Sequence, residues 1–419
     1  MQQVNWTDLQ KILQQSRFSP EIEKKVRMII DRVKEKGDEA LFACTELFDG
    51  ARIRKLRVSE KEIRASRRYF KGEIKTALQQ ARLRIEVYHR NQIPSKFVQK
   101  EKDCRIEFCW APLDVVGIYV PSSQAPLVSS VLMTVVPAKV AGCQRIVVCT
   151  PPGRDGKVNP YLLSCLDWLG IKDIFKVGGA QAVAAMALGT ESIPQVDKVV
   201  GPGSVYVNTA KKLLFGETGV DTLAGPSELV IFSDESGVPA VIAADLAAQM
   251  EHVGGTGILL TTCESLGRKV ELLVRDGYWL LVKNEEQALN IINQLAPEHL
   301  QILCWNPSVF IPRAVAGVIF VGEATPTVIG DYFAGPSHVL PTQQAARHSS
   351  GVSVYTFLRS YAVIRASKDF LKKWGNTVKK MALLEGLTAH ARSIEIRLTS
   401  GGKKWEERQK YTGKQKKQR

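Results

Sequence analysis

The chain has 419 residues, 45% of them hydrophobic and 24% charged, with a formal net charge of +15. That length allows two or more domains, since single cores stop growing near roughly 250–300 residues, and the near-average composition excludes a disordered or fibrous chain outside the ends. The start, Met1-Gln2-Gln3-Val4-Asn5-Trp6, lacks the basic and apolar regions of a signal peptide, so the expected location is the cytoplasm.

From 20 to 91 apolar residues recur at helical spacing, with a capping box at Ser59-Glu60-Lys61-Glu62, and this part reads as helical scaffold. The uncharged stretch 115–138 is long enough to span a bilayer, but Pro121, Pro126 and Pro137 interrupt it, so it reads as strand, loop and buried helix. Strands are expected at 115–120, 145–149, 173–177 and 198–200, alternating with helices at 129–141, 160–169, 180–188 and 204–215. Such alternation means parallel βαβ units in a doubly wound sheet. A second set of strands is expected at 228–232, 258–262, 300–304 and 317–321, with a helix at 239–252. The fold class is therefore α/β, with two incomplete Rossmann-like domains and helical extensions at both ends. After about 361 the pattern turns helical again. The segment 403–419 carries eight Lys or Arg against Glu406 and Glu407 and reads as a solvated tail, with an arm for nucleic acid or another acidic partner as the alternative. Eight cysteines show no CxxC pairing and mostly lie in apolar runs, as buried thiols do.

Polar groups able to do chemistry concentrate in the last 40% of the chain. Gln249 and His252 are three apart near the end of the 239–252 helix and project from one face. An imidazole and a side-chain carbonyl can hold a divalent metal, whereas helix-end capping by His252 is the plainer alternative. Glu298-His299 sets a carboxylate beside a group that titrates near neutrality, a candidate acid/base pair, with a surface turn as the alternative. Asp331 and His338 lie in Gly330-Asp331-Tyr332 and Gly335-Pro336-Ser337-His338, flanking a tight loop after a strand, where α/β proteins carry sites. Glu385 and His390 come much later. If His390 ligates the same metal as His252, its segment reaches over a domain or comes from a partner subunit. Val177-Gly178-Gly179-Ala180-Gln181 and Gly201-Pro202-Gly203-Ser204 each lead from strand to helix, where bare amides favour phosphate, but neither is GxGxxG.

Together, in this order, these motifs resemble the histidinol dehydrogenase family over about 20–397. The blocks that carry the resemblance are Val116-Gly117-Ile118-Tyr119-Val120-Pro121, Ser129-Ser130-Val131-Leu132-Met133, Val177-Gly178-Gly179-Ala180-Gln181-Ala182, Ala224-Gly225-Pro226-Ser227-Glu228, Pro297-Glu298-His299-Leu300 and His338-Val339-Leu340-Pro341-Thr342. The resemblance implies a zinc-dependent, four-electron oxidation of L-histidinol to L-histidine through the aldehyde, with two NAD consumed. It implies Gln249, His252, Asp331 and His390 as zinc ligands, His299 as general base and Glu298 as the group that activates water. Ser227, His338 and Glu385 would hold the substrate, along with His299 and the metal ligands, while Tyr119, Gln181 and Ser204 match cofactor positions. It further implies an intertwined homodimer in which Glu385 and His390 serve the other subunit's site. The expected organisation is an arm at 1–20, a first α/β domain of 21–114 with 229–355, a cofactor domain at 115–228 and a dimerisation segment at 356–402. Ser122-Ser123 stand where the family usually has two glycines, Ser204 where it has asparagine, Val253-Gly254 where Asp-Pro is usual and His348 where phenylalanine is usual. The first two departures touch the cofactor side. The alternative readings are a paralogous zinc- and NAD-dependent dehydrogenase of another small alcohol, or a homologue with an eroded cofactor site.

Overall fold

The computed structural model describes residues 1–13, 19–122, 125–223 and 225–399; Ser123 and the basic tail lie outside the described residues. Contacts divide the chain into one unit of Met1–Ile93 with Pro112–Leu358 and another of Pro94–Ala111 with Arg359–Arg419. The first begins with β1 (Gln2–Gln3), α1 (Trp6–Leu13), α2 (Pro20–Asp49), α3 (Glu60–Ser66) and α4 (Gly72–Arg90). Ser19 starts α2 by accepting from the Ile22 N–H, and Gly50 ends it in the left-handed region. The expected capping box opens α3, with Ser59 and Glu62 bonding reciprocally. Next in the chain come β2 (Phe97–Lys100) and β3 (Cys104–Pro112), most of which belong to the second unit.

A five-stranded sheet follows, built from β4 (Val115–Tyr119), α5 (Val128–Ala141), β5 (Arg145–Thr150), α6 (Pro160–Trp168), β6 (Asp173–Lys176), α7 (Gly179–Leu188), β7 (Lys198–Val200), α8 (Val205–Leu214) and β8 (Gly219–Val220). Its pairings are all parallel, in the order β6-β5-β4-β7-β8. The chain enters at β4, winds outward to β6, then crosses back to β7, so the winding reverses between β4 and β7. Alternate residues feed opposite cores. Ile118, Val148 and Ile174 pack with α5 and α6, while Val147, Cys149 and Phe175 pack with α7 and with Val26, Ile30 and Val33 of α2. The helices at 20–90 thus cover this sheet.

The second parallel sheet comprises β9 (Glu228–Ser233), α9 (Pro239–Met250), β10 (Thr256–Thr261), α10 (Glu264–Leu273), β11 (Tyr278–Leu281), α11 (Glu285–Leu295), β12 (His299–Leu303), β13 (Val318–Val321) and α12 (Val328–Tyr332), with β1 pairing at its edge. The order β1-β11-β10-β9-β12-β13 is again wound outward from the middle. The second unit holds β2 and β3, antiparallel to each other, with β14 (Leu358–Ala366), α13 (Lys368–Leu384) and α14 (Thr388–Thr399). The helical run expected from 361 therefore starts only at Lys368, because 358–366 is a strand. All eight cysteines are free. Among the described residues no helix is long and apolar enough to cross a membrane.

Candidate active site

Glu298 and His299 sit where β12 begins, beside the start of β9, because the parallel register sets His299 opposite Leu229. The pair therefore lies at the amino ends of these strands, whereas open α/β sheets usually carry ligands at the carboxyl ends. Both are buried, at 6% and 5% exposure. Ser227 Oγ donates to Glu298 Oε2 at 2.5 Å, the Glu228 N–H donates to the same oxygen at 3.2 Å, and Gln249 Nε2 donates to Ser227 Oγ at 2.9 Å. A hydrogen-bonded chain thus runs from α9 to the carboxyl group.

Burial pushes the Glu298 carboxyl up to about 8, against the opposing pull of Ser227, the Glu228 amide and His252. In the metal-free chain this favours the protonated form at neutral pH. Burial also holds the His299 imidazole below its ordinary value, although Asp331 opposes this. His299 Nδ1 lies 3.6 Å from Glu298 Oε2, and this buried nitrogen has no hydrogen-bond partner among the described residues. A neutral imidazole beside a neutral carboxyl is equipped to accept one proton and exchange another.

His338 joins the same cluster. Its Nδ1 lies 2.9 Å from the Asp331 carbonyl and its Nε2 lies 3.1 Å from Ser130 Oγ. A carbonyl only accepts, so Nδ1 carries the proton and Nε2 accepts from the serine. Burial lowers this imidazole's pKa, and it senses the charges of Asp331, His299 and His252. Ser130, on α5, was legible as part of a helix and of a family block, but one sequence carries no signal for its contact with a histidine about 200 residues away.

Of the four expected metal ligands, Gln249, His252 and Asp331 lie in this unit, where His252 and Asp331 both act on Glu298. Gln249 is buried at the end of α9, with its amide nitrogen engaged by Ser227, which leaves the carbonyl oxygen as the group able to ligate. His252 is exposed just beyond that helix. An amide oxygen, an imidazole and a carboxylate fit zinc, but the set is one ligand short. Among the described residues no three His, Cys, Asp or Glu side chains gather closely enough to hold a metal. Glu385, capping the end of α13, and His390, on α14, are both exposed on the second unit.

The expected cofactor residues gather at the other kind of edge, the carboxyl end of the five-stranded sheet where its winding reverses. Tyr119 ends β4, is buried, and its hydroxyl accepts from the Gly179 N–H at 3.1 Å. Gln181, in the first turn of α7, is 1% exposed and its buried Nε2 has no partner among the described residues. Ser204 stands at the N-cap of α8 without making a capping bond. Before it, Gly201 has φ 126, and a Cβ there would fall 2.2 Å from the Tyr119 carbonyl. Its peptide groups are gripped by a buried ion pair: Asp221 accepts from the Gly201 N–H at 2.8 Å and Lys211 donates to the Gly201 carbonyl at 2.5 Å. Of the departures, Ser122 is half-buried three residues beyond the end of β4, and Val253, Gly254 and His348 are exposed.

Two doubly wound parallel sheets, one with a buried carboxyl and imidazole where β12 begins, define an α/β protein with a candidate acid/base pair. Comparison with known proteins specifies which kind. The chain belongs to the histidinol dehydrogenase family, whose model matches residues 13–398, and it is an oxidoreductase. It is 42% identical over 407 residues to a histidinol dehydrogenase of Symbiobacterium thermophilum, covering 91% of this chain and 92% of that protein. It is 43% identical over 404 residues to one of Clostridium acetobutylicum, covering 91% and 94%. The crystal structure of histidinol dehydrogenase from Elizabethkingia anophelis matches with a TM-score of 0.89 at 32% identity, covering 96% of this chain and 98% of that one. The α/β class with parallel sheets expected from the sequence is thus the observed one.

Proposed function

We propose that this protein oxidises L-histidinol to L-histidine through the aldehyde, completing histidine biosynthesis in the cytoplasm as a zinc- and NAD-dependent homodimer. The observation that carries the reading is the buried Glu298–His299 pair, wired through Ser227 to Gln249.

His299 takes the proton of the alcohol hydroxyl, a role suited to an imidazole that burial keeps neutral. His299 passes that proton to solvent; Glu298, as the carboxylate, then removes a proton from the water that adds to the aldehyde, and the freed imidazole of His299 accepts the hydroxyl proton of the resulting hydrate. Ser227 and His338 orient the substrate's polar groups, and Glu385 of the other subunit does so with them. Zinc held by Gln249, His252, Asp331 and His390 would orient the substrate nitrogens and, by its charge, favour the ionised form of Glu298. NAD, bound by Tyr119, Gln181 and Ser204, would accept two electrons in each oxidation.

A dimer would supply the ligand that the first unit lacks. Support comes from α13, which exposes Trp374, Val378 and Met381 at helical spacing, with Leu384 88% exposed at its end. The test is to give purified, zinc-loaded protein L-histidinol and NAD. Histidine and two equivalents of NADH per substrate are expected, and a silent assay at full zinc content would reject the proposal.

A further inference from the structure

A cavity of about 670 Å³ opens beside the start of α7, lined by Met28, Leu47, Phe48 and Asp49 of α2 together with Gln181 and Ser204. Two of its polar groups lack partners among the described residues. Gln181 Nε2 is one, a donor on a side chain 1% exposed; Asp49 Oδ2 is the other, an acceptor cut off from solvent. Asp49 is also the last residue of α2, where the helix dipole disfavours an anion. No cation draws its carboxyl down, and burial alone pushes it up to about 6. A half-buried carboxylate with one oxygen shut away and unpartnered, at the wrong end of a helix, breaks local rules, and such breaks concentrate where a ligand completes the structure.

We infer that Asp49 selects the unphosphorylated dinucleotide, its carboxylate accepting hydrogen bonds from the vicinal hydroxyls of the adenosine ribose. The inference rests on the proposal that this cavity takes NAD. A Cβ on Gly178 would lie 3.3 Å from Asp49 Oδ1, so the carboxylate sits beside the turn that opens α7. That helix start suits a diphosphate, and a ribose is the next group along the ligand. An acceptor-only carboxylate satisfies a hydroxyl pair and repels a 2′-phosphate. Lys25 and Arg32, seven apart on one face of α2, line the same cavity and define the competing outcome, in which cations hold the 2′-phosphate instead.

The test titrates the full-length protein and its Asp49→Asn and Asp49→Ser variants with NADH and NADPH, following nucleotide fluorescence, with thermal melting as a check on folding. Wild type should bind NADH at least about tenfold more tightly than NADPH, as expected for charge-assisted bonds to the ribose. Both variants should lose about tenfold in NADH affinity while NADPH affinity holds or rises. Equal binding of the two nucleotides by wild type would overturn the inference, and so would parallel losses of both nucleotides in folded variants. Wild type that binds neither would overturn the NAD proposal along with it.

Discussion

Replacing Glu298 with glutamine removes a carboxyl group that the fold holds protonated at neutral pH. Its ordinary pKa is 4.5, and burial raises it to about 8. Between those values the unfolded chain has already released this proton while the native chain keeps it. Native stability therefore falls as pH rises, by roughly 1.4 kcal/mol per unit, or about 3 kcal/mol by pH 7 relative to pH 4.5. Glutamine cannot titrate, yet its carbonyl can still accept from Ser227. In urea unfolding of metal-free protein, wild type and Glu298→Gln should be similar near pH 5. The variant should then gain about 1.4 kcal/mol per unit up to pH 8, beyond which the difference is constant. Other carboxyls are common to both proteins and cancel. Parallel stability curves across pH 5–8 would refute the claim that burial holds this carboxyl protonated. In the assay with substrate, the same variant should slow aldehyde oxidation more than alcohol oxidation.

His299→Asn should lower both oxidation steps by about 10²–10⁴-fold, as loss of a general base does; a loss confined to one step would contradict its shared role. His252→Ala and His390→Ala should each strip zinc from purified protein, and full metal content by elemental analysis in either variant would remove that residue from the ligand set. Mixing inactive His299→Asn with inactive His390→Ala under subunit exchange should restore activity, since some heterodimers would hold one intact site, whereas a mixture that stays silent despite proven exchange would count against shared sites. Ser204→Asn should tighten NADH binding if the serine weakens the cofactor turn, and an unchanged Kd would make this departure neutral.

Periodicity disclosed the elements whose burial is one-sided or complete. The run Ile146-Val147-Val148-Cys149 marks a strand buried on both faces, and the Ser59–Glu62 capping box marks where α3 begins. Residues 358–366 escaped because Leu358-Arg359-Ser360-Tyr361-Ala362 shows little apolar alternation; most of β14 is exposed, and its order comes from pairing with β3, about 250 residues away. The site was legible as residue types but not as wiring. Short motifs displayed Glu298, His299 and Asp331, whereas Ser227 as the relay between Gln249 and Glu298, and Ser130 as the partner of His338, depend on contacts between distant segments. Asp49 carried no signal at all, since a helix-terminal aspartate looks like an ordinary surface residue until its burial is seen.

The placement of Glu298 and His299 explains both how firmly the pair is held and what holding it costs. The Gly317 N–H donates to the Pro297 carbonyl at 2.9 Å and the Val318 N–H to that of Glu298 at 3.0 Å, so the backbone before His299 is held by the incoming strand. A Cβ at Gly317 would meet the Glu298 carbonyl at 2.7 Å, which makes glycine the residue that permits this approach. On the other side, Ser227 and the Glu228 amide fix the carboxyl itself. A slip of one residue in the β9–β12 register would turn Glu298 and His299 to opposite faces from those they occupy, so the hydrophobic pattern of the sheet also enforces the geometry of the site. Rigid strand starts give the pair less freedom than loops would. The same enclosure removes Glu298 from water, and the protonated form it favours lowers native stability as pH rises toward neutrality.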